Sequence, residues 1–397
     1  MKNIHENKVL FLTEKYSTHN VPNSLCVEKI IHEWNMRYKN IDARVLSIEN
    51  EHINEDFFSV LYNYQMNGIE LQLRKIKKFF TMPIGHSKLV DELEKQLDLI
   101  KQEFDFDTII AVINPVETAE ASYRFKLRNP KVKFILYEID PNSNRYKVPE
   151  NFIEKQWKTK STKWEKKVYS KADYIIHMES HKNHFERDEY KVFKDKTIYL
   201  DIPSFNVNIS KKSQNNEVMK LLYAGAFYPK LREPYKMLRI LSFLKNDFRL
   251  DIYTGKKMRS ALNILAIENP FIVIHDSVSQ DEINDITMTS DVLISLGNKN
   301  SDFLPSKTLV YMGTGKPIIH FYEDDDDTSI KYLRRYSNAL LIRVNDNITE
   351  NVKKISCFLK NLPDTITEPS NLIKEFYENT SEYSADRICL LLTGESE

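Results

Sequence analysis

The residues with most chemical content lie in Asn298–Pro317, NKNSDFLPSKTLVYMGTGKP. An apolar run, DVLISL, ends at Gly297 and Asn298, and a polar loop and a proline follow. Ser306 is then placed to cap a short helix. A helix that starts at a strand's carboxyl end aims free backbone N–H groups at that end and suits an anion there. Lys307 falls in the first turn, where a cation opposes the helix dipole, so a nearby anion such as a diphosphate rationalises it. Gly313 and Gly315 close the helix, where positive φ is allowed. A second stretch, KLLYAGAFYPKLREPYKMLRIL, puts Gly225 at a strand end, where backbone can approach a ligand closely. Lys230 and Arg232 occupy the next loop, and an Arg–Lys pair is a suitable clamp for two phosphates.

Other chemically capable groups read as structure. His177 ends a strand-like run while His181 and His184 open a helix. The three need not converge as zinc ligands must, so they read as surface histidines and no metal site is expected. Glu323–Asp327, EDDDD, reads as a solvated loop entering a helix N-terminus, where acids are favourable. Two basic stretches read as amphipathic helices with wet faces. The first, Ile69–Phe80, places Ile69, Leu73, Ile76 and Phe80 on one face. The second, Lys155–Lys171, interleaves seven lysines with Trp157 and Trp164. Peripheral contact with an anionic membrane is the competing reading of both. Glu117 follows one strand-like run, and Glu138 and Asp140 follow the next.

These groups need a scaffold, and the chain shows its pattern. Val9–Thr13, Ala43–Ile48, Thr108–Ile113, Val132–Tyr137, Asp173–Met178 and Thr197–Leu200 are short apolar runs separated by segments with helical spacing. The pattern restarts with Leu221–Ala226, Phe248–Thr254, Phe271–His275, Asp291–Leu296, Pro317–Phe321 and Ala339–Val344. Such alternation predicts an α/β protein with two doubly wound parallel sheets of six strands each. Ile202–Val218, rich in Ser, Asn and Lys, is the linker candidate. Ligands are expected at the strands' carboxyl ends, with a cleft between the halves as a favoured site.

Composition narrows the classes. With 57 Lys+Arg against 57 Asp+Glu, the formal charge is zero, so no global attraction to nucleic acid is expected. Three dispersed cysteines argue against a disulfide framework or structural zinc site. With no apolar run of membrane-spanning length, the expectation is a soluble, cytoplasmic protein. Peripheral attachment at the inner membrane face is compatible with this. Only 8 glycines occur, where average usage of about 7% would supply about 28. Five of the eight, Gly225, Gly255, Gly297, Gly313 and Gly315, cluster in the second half.

YAGAFYPKLREP followed by LPSKTLVYMGTGKPII resembles the donor half of GT-B glycosyltransferases, nearest the family 4 type. The tail FYENTSEYSADRICLLL is similar to that fold's C-terminal helices. The resemblance implies two Rossmann-like domains facing a cleft: an acceptor domain at 1–203, a donor domain at 204–375, and a C-terminal helix at 376–397 returning to the first. It implies a nucleotide-diphosphate-sugar donor, no cofactor, and a glycan, lipid-linked or protein acceptor. Donor-binding positions would be Gly225, Lys230, Arg232, Asn298, Asp302, Ser306, Lys307, Thr308 and Tyr311. Asp302 aligns with the first of two glutamates typical of the family, whereas Val310 stands where the second, ribose-binding one is expected. Glu117, Glu138 and Asp140 are the catalytic candidates, activating an acceptor hydroxyl or stabilising an oxocarbenium-like centre, with structural or acceptor-binding carboxylates as the equal alternative. The resemblance implies retention of configuration without a metal. A pseudoenzyme or partner subunit, and a nucleotide-sugar epimerase, are the rival readings.

Overall fold

The computed structural model describes residues 7–16, 22–49, 58–61, 80–145, 149–208, 218–244, 248–256, 258–299, 302–362 and 369–393. The chain forms two compact units: one runs to Pro203 and includes Glu378 onward, the other spans Ser204–Tyr377.

The first unit holds a sheet of β1 (Asn7–Thr13), β2 (Ile41–Glu49), β3 (Phe58–Leu61), β4 (Thr108–Ile113), β5 (Lys133–Glu138), β6 (Tyr174–Met178) and β7 (Thr197–Leu200). Their spatial order is β3-β2-β1-β4-β5-β6-β7, and every pairing is parallel. The expected six strands are therefore seven. β3 is a four-residue strand at the sheet edge, too short to show a pattern. Alternate residues of β1 feed two cores: Leu10 and Leu12 pack on one face, Val9 and Phe11 on the other. Both faces are covered, which is why the strands read as continuous apolar runs. The helices are α1 (Pro22–Arg37), α2 (Ser87–Phe104), α3 (Val116–Arg128), α4 (Phe152–Tyr169) and the short α5 (Lys182–Phe185). Trp157 and Trp164 of α4 are buried, so this basic stretch is an amphipathic helix of the domain. Of Ile69–Phe80, only Phe80 lies within the described residues.

The second unit contains β8 (Met219–Ala224), β9 (Phe248–Tyr253), β10 (Ile272–His275), β11 (Val292–Leu296), β12 (Ile318–Tyr322) and β13 (Ala339–Arg343). They form one sheet ordered β10-β9-β8-β11-β12-β13, again all parallel. Helices α6 (Tyr235–Leu241), α7 (Arg259–Glu268), α8 (Gln280–Thr289), α9 (Ser306–Gly313), α10 (Thr328–Leu333) and α11 (Ile348–Lys360) connect and flank the strands. Strand order reverses between β8 and β11, the place where doubly wound sheets open a binding crevice. Of the linker candidate, 209–217 lie outside the described residues.

After α12 (Pro369–Glu375), helix α13 (Ser381–Thr393) belongs to the first unit. It packs on α1: Trp34 Nε1 donates to the Ala385 carbonyl at 2.9 Å, and the Tyr38 hydroxyl donates to Asp386 at 2.7 Å. Arg37 pairs with Glu382 and Asp386 beside them. No helix among the described residues is long and apolar enough to cross a membrane.

Candidate functional site

In the second unit, the loops after β8 and β11 meet across the reversal point. The Lys299 amide donates to the Leu231 carbonyl at 2.7 Å. Arg232 Nε and Nη2 both donate to Asn298 Oδ1, at 2.9 and 2.6 Å, while Asn298 Nδ2 donates to the Phe303 carbonyl at 2.9 Å. Asn298 is buried and neutral, so it fixes the guanidinium without discharging it. Tyr228 and Arg232 exchange backbone hydrogen bonds that close this loop, with Lys230 at a positive φ of 66° inside it. Lys230 is exposed, and its amide donates to Glu233.

Helix α9 begins at the same edge. Pro305, not Ser306, occupies the cap position, so the helix has no side-chain cap. Proline's fixed φ serves an extended approach to the helix, and Ser306 becomes its first residue. The Thr308 amide donates to the Pro305 carbonyl at 2.9 Å, and the Ser306 and Lys307 amides, unpaired among the described residues, are left for water or a ligand. Lys307 is partly buried and has no hydrogen-bond or ion-pair partner among the described residues. Burial pushes its ammonium below the usual lysine value, with no carboxylate to counter the effect. Lys236 and Lys299 nearby differ, because both pair with Glu323, at 2.8 and 3.3 Å. Burial raises the Glu323 carboxyl, but the hydrogen bonds from these lysines outweigh it and hold it below its ordinary value.

The donor-binding candidates thus separate by burial. Gly225, Arg232, Asp302, Ser306 and Lys307 are partly accessible. Thr308 and Tyr311 point inward: Thr308 Oγ1 meets Ser329 Oγ at 3.2 Å, and the Tyr311 hydroxyl accepts from the Ala224 amide at 3.2 Å. They anchor α9 to β8 and α10. Val310 is 37% exposed on the same helix. Tyr223 escaped the sequence reading, although it stands two residues before Gly225. Its hydroxyl donates to the Ala226 carbonyl at 3.4 Å and is pushed up to about 12 by burial, against the nearby Arg232 charge, and its ring stacks on Phe227 at 4.5 Å.

The carboxylates of the first unit have distinct surroundings. Glu117 is buried and accepts the Gly85 and His86 amides, both at 2.8 Å, which fixes the approach to α2. Glu138 is fully buried, accepts the Tyr169 hydroxyl and lies 3.1 Å from His177 Nδ1. Burial raises its carboxyl to about 7. Asp140 has a side chain 49% exposed, 3.9 Å from His181. Behind them Glu165, missed in the sequence, accepts the Ser143 amide and the Tyr190 hydroxyl at 2.7 Å each. Burial raises it to about 8.

The expected surface histidines are not on the surface. His177, His181 and His184 are 1%, 1% and 5% exposed. His177 stacks on Phe185 at 3.4 Å, and His184 Nε2 meets Ser143 Oγ at 3.0 Å. Phe185 covers them from the following short helix and Ser143 from a different element, so the spacing of the histidines alone concealed the burial. No group of three or more His, Cys, Asp or Glu among the described residues is arranged to hold a metal ion. In the acidic run, Asp327 caps α10 by accepting the Ser329 amide at 2.8 Å.

No family model and no curated protein matches the chain. Solved structures do. Sucrose-phosphate synthase from Thermosynechococcus elongatus aligns with a TM-score of 0.66 at 11% identity, over 98% of each chain. A glycosyltransferase from Rickettsia africae aligns at 0.61 and 13% identity, over 98% of this chain and 100% of that one. UDP-GlcNAc 2-epimerase from Methanocaldococcus jannaschii aligns at 0.56 and 13%, with the same coverage. The fold is GT-B. At these identities the likeness is one of architecture, so activity has to be argued from the site.

Proposed function

We propose that the chain is a glycosyltransferase that moves a hexose-type sugar from a nucleotide-diphosphate-sugar to a hydroxyl of a glycan, lipid-linked or protein-linked acceptor. One observation carries this reading. Arg232 and Lys307 stand at the carboxyl edge of the second sheet with no carboxylate partner among the described residues. Two uncompensated cations beside uncapped helix amides make a seat for a diphosphate. As the glycosidic bond to the leaving nucleotide breaks, negative charge grows on that diphosphate, and Arg232, Lys307 and the α9 amides stabilise it. Asp302 and the backbone at Gly225 complete the donor set. Of the three carboxylates in the first unit, Asp140 is the one exposed enough to exchange a proton with an acceptor hydroxyl. Glu117 and Glu138 hold backbone and core groups. Retention of configuration, independence of metal and family 4 membership rest on the motif resemblance. We assign the protein to the cytoplasm; α4 packs its tryptophans into the domain, and peripheral membrane contact would use only its outer face, where Phe152 and Ile153 are 66% and 60% exposed.

Calorimetry with UDP, GDP and their hexose conjugates tests the reading. Saturable binding that Lys307→Ala or Arg232→Ala weakens supports it; absence of binding at millimolar nucleotide overturns it. Mass spectrometry with and without acceptor separates transfer from epimerisation, which needs no acceptor. Val310 favours a second reading, a binding or partner subunit that keeps the anion seat without a ribose carboxylate. Donor turnover lost in Arg232→Ala would exclude it.

A further inference from the structure

A cavity of about 610 Å³ lies in the first unit, against β6, edge strand β7 and the segment 182–194. That volume is typical of small-molecule sites, which run about 300–1,000 Å³. Rings dominate its lining: Tyr169, Phe185, Tyr190, Phe193 and Tyr199. They brace one another, with Tyr169 edge-on to Phe193 at 5.5 Å and Phe185 edge-on to Tyr190 at 5.1 Å. The hydroxyls of Tyr169 and Tyr190 are occupied by Glu138 and Glu165, and both rings are almost fully buried, so Phe193 and the half-buried Tyr199 present most of the ring surface. Thr197, another lining residue, already donates its hydroxyl to the Phe193 carbonyl at 2.8 Å. Apart from the charged side chains, the His177 ring and the Tyr199 hydroxyl are the polar groups left in the lining, so a sugar body would find few neutral partners.

Charge marks the cavity as well. Lys182, Lys191 and Lys194 contribute to it, with Glu186 as the opposing charge. Lys191 is held by Asp188 at 2.5 Å. Lys182 has a 3.8 Å contact with Glu179 and sits 5.4 Å over the Tyr199 ring. Lys194 has no partner among the described residues. Lys182 and Lys194 are therefore the cations open to a ligand, and two compact ammonium groups match a phosphate monoester, which carries close to two negative charges at neutral pH.

We propose that this cavity binds an apolar chain ending in a phosphate monoester, the chain against the rings and the phosphate between Lys182 and Lys194. The site is separate from the nucleotide seat, and its test needs no nucleotide. Calorimetry of the full chain with geranyl phosphate should show saturable binding. Geraniol, inorganic phosphate and glucose 1-phosphate should each bind at least about tenfold more weakly, because each lacks one of the two recognised parts. Reversing both lysines, Lys182→Glu with Lys194→Glu, should weaken geranyl phosphate at least about tenfold, and Glu186→Gln should tighten it a few-fold. All three are partly or fully exposed residues, so circular dichroism should remain unchanged. Tighter binding of farnesyl than geranyl phosphate marks a membrane lipid as the source, and equal binding marks a short soluble ligand; either supports the site. No saturable binding at millimolar geranyl phosphate overturns the proposal. So does an unchanged affinity in the folded double variant, or glucose 1-phosphate binding as tightly.

Discussion

Arg232 and Asn298 meet across the point where strand order reverses in the second sheet, with two guanidinium nitrogens on one amide oxygen at 2.9 and 2.6 Å. A neutral partner is what makes the arrangement useful. A carboxylate at this position would keep the contact with the guanidinium but discharge it, and would give up the hydrogen bond to the Phe303 carbonyl. Asn298→Asp should therefore keep the fold and weaken UDP or GDP binding by about tenfold, the order of one charge-assisted hydrogen bond. Calorimetry reads this directly. Unchanged affinity would mean that Arg232 does not meet the diphosphate.

Lys307 gives a prediction in pH. Its folded-state value lies below 10.5 because burial disfavours the ammonium. Below that lowered value the native state carries the full penalty of a buried charge. As pH rises toward 10.5 the unfolded chain binds more protons, so stability recovers. Lys307→Met should raise the melting temperature at pH 7, and the gain should shrink as pH approaches 10.5. The same variant should lose the melting-temperature increase that nucleotide gives the native chain. Differential scanning calorimetry across pH checks both; a variant less stable at pH 7 would contradict the assignment.

Strands such as Thr108–Ile113 could be read from the sequence because they are buried throughout, and a run like TIIAVI admits few other readings. The four-residue β3 had no such length. The candidate site was partly legible, since Lys307 and Arg232 stood out by type and place. Their relation was not. It depends on a 66-residue separation closed by Asn298 and on a loop containing Lys230 at positive φ. Burial of His177, His181 and His184 was equally hidden, because Ser143 and Tyr169 reach that region from other elements.

Two glycines of the second unit should respond oppositely to alanine. A Cβ on Gly313 would come within 2.2 Å of the Asn206 carbonyl oxygen, where the Asn208 amide also donates to the Gly313 carbonyl at 2.9 Å. Backbone cannot yield as a side chain does, so Gly313→Ala should destabilise by about 1–3 kcal/mol. A Cβ on Gly255 meets nothing within 4 Å. Gly255→Ala should be neutral or stabilising by up to about 1 kcal/mol. Urea midpoints of the two variants, followed by circular dichroism, make the comparison. Equal midpoints would show that the 206–208 contact is not what requires Gly313.

Val310 tests the missing carboxylate. At 37% exposed it can accept a longer polar side chain without entering the core. Val310→Glu should tighten nucleotide binding by about ten- to a hundredfold if the side chain reaches a ribose hydroxyl, the range expected for hydrogen bonds to a charged group. A nucleoside monophosphate should gain as much as a diphosphate, since the new contact is to ribose. If affinity stays the same, the helix does not present this position to the ribose.

The buried carboxyls of the first unit set its response to pH. Glu138 and Glu165 are raised from 4.5 to about 7 and about 8, burial being the main cause for each. Between 4.5 and those values the native state holds protons that the unfolded chain has released. Their contribution to stability is therefore complete below 4.5 and is lost as pH rises through 7 and 8. All three tryptophans, Trp34, Trp157 and Trp164, are buried in this unit, so tryptophan fluorescence reports its unfolding alone. The urea midpoint by fluorescence should fall between pH 5 and pH 8. Glu165→Gln keeps an acceptor for the Ser143 amide and offers an N–H to Tyr190 without titrating. It should flatten the slope while leaving the midpoint at pH 5 nearly unchanged. A slope as steep as in the native chain would mean that Glu165 is ionised throughout this range and that its charge is stabilised in the core.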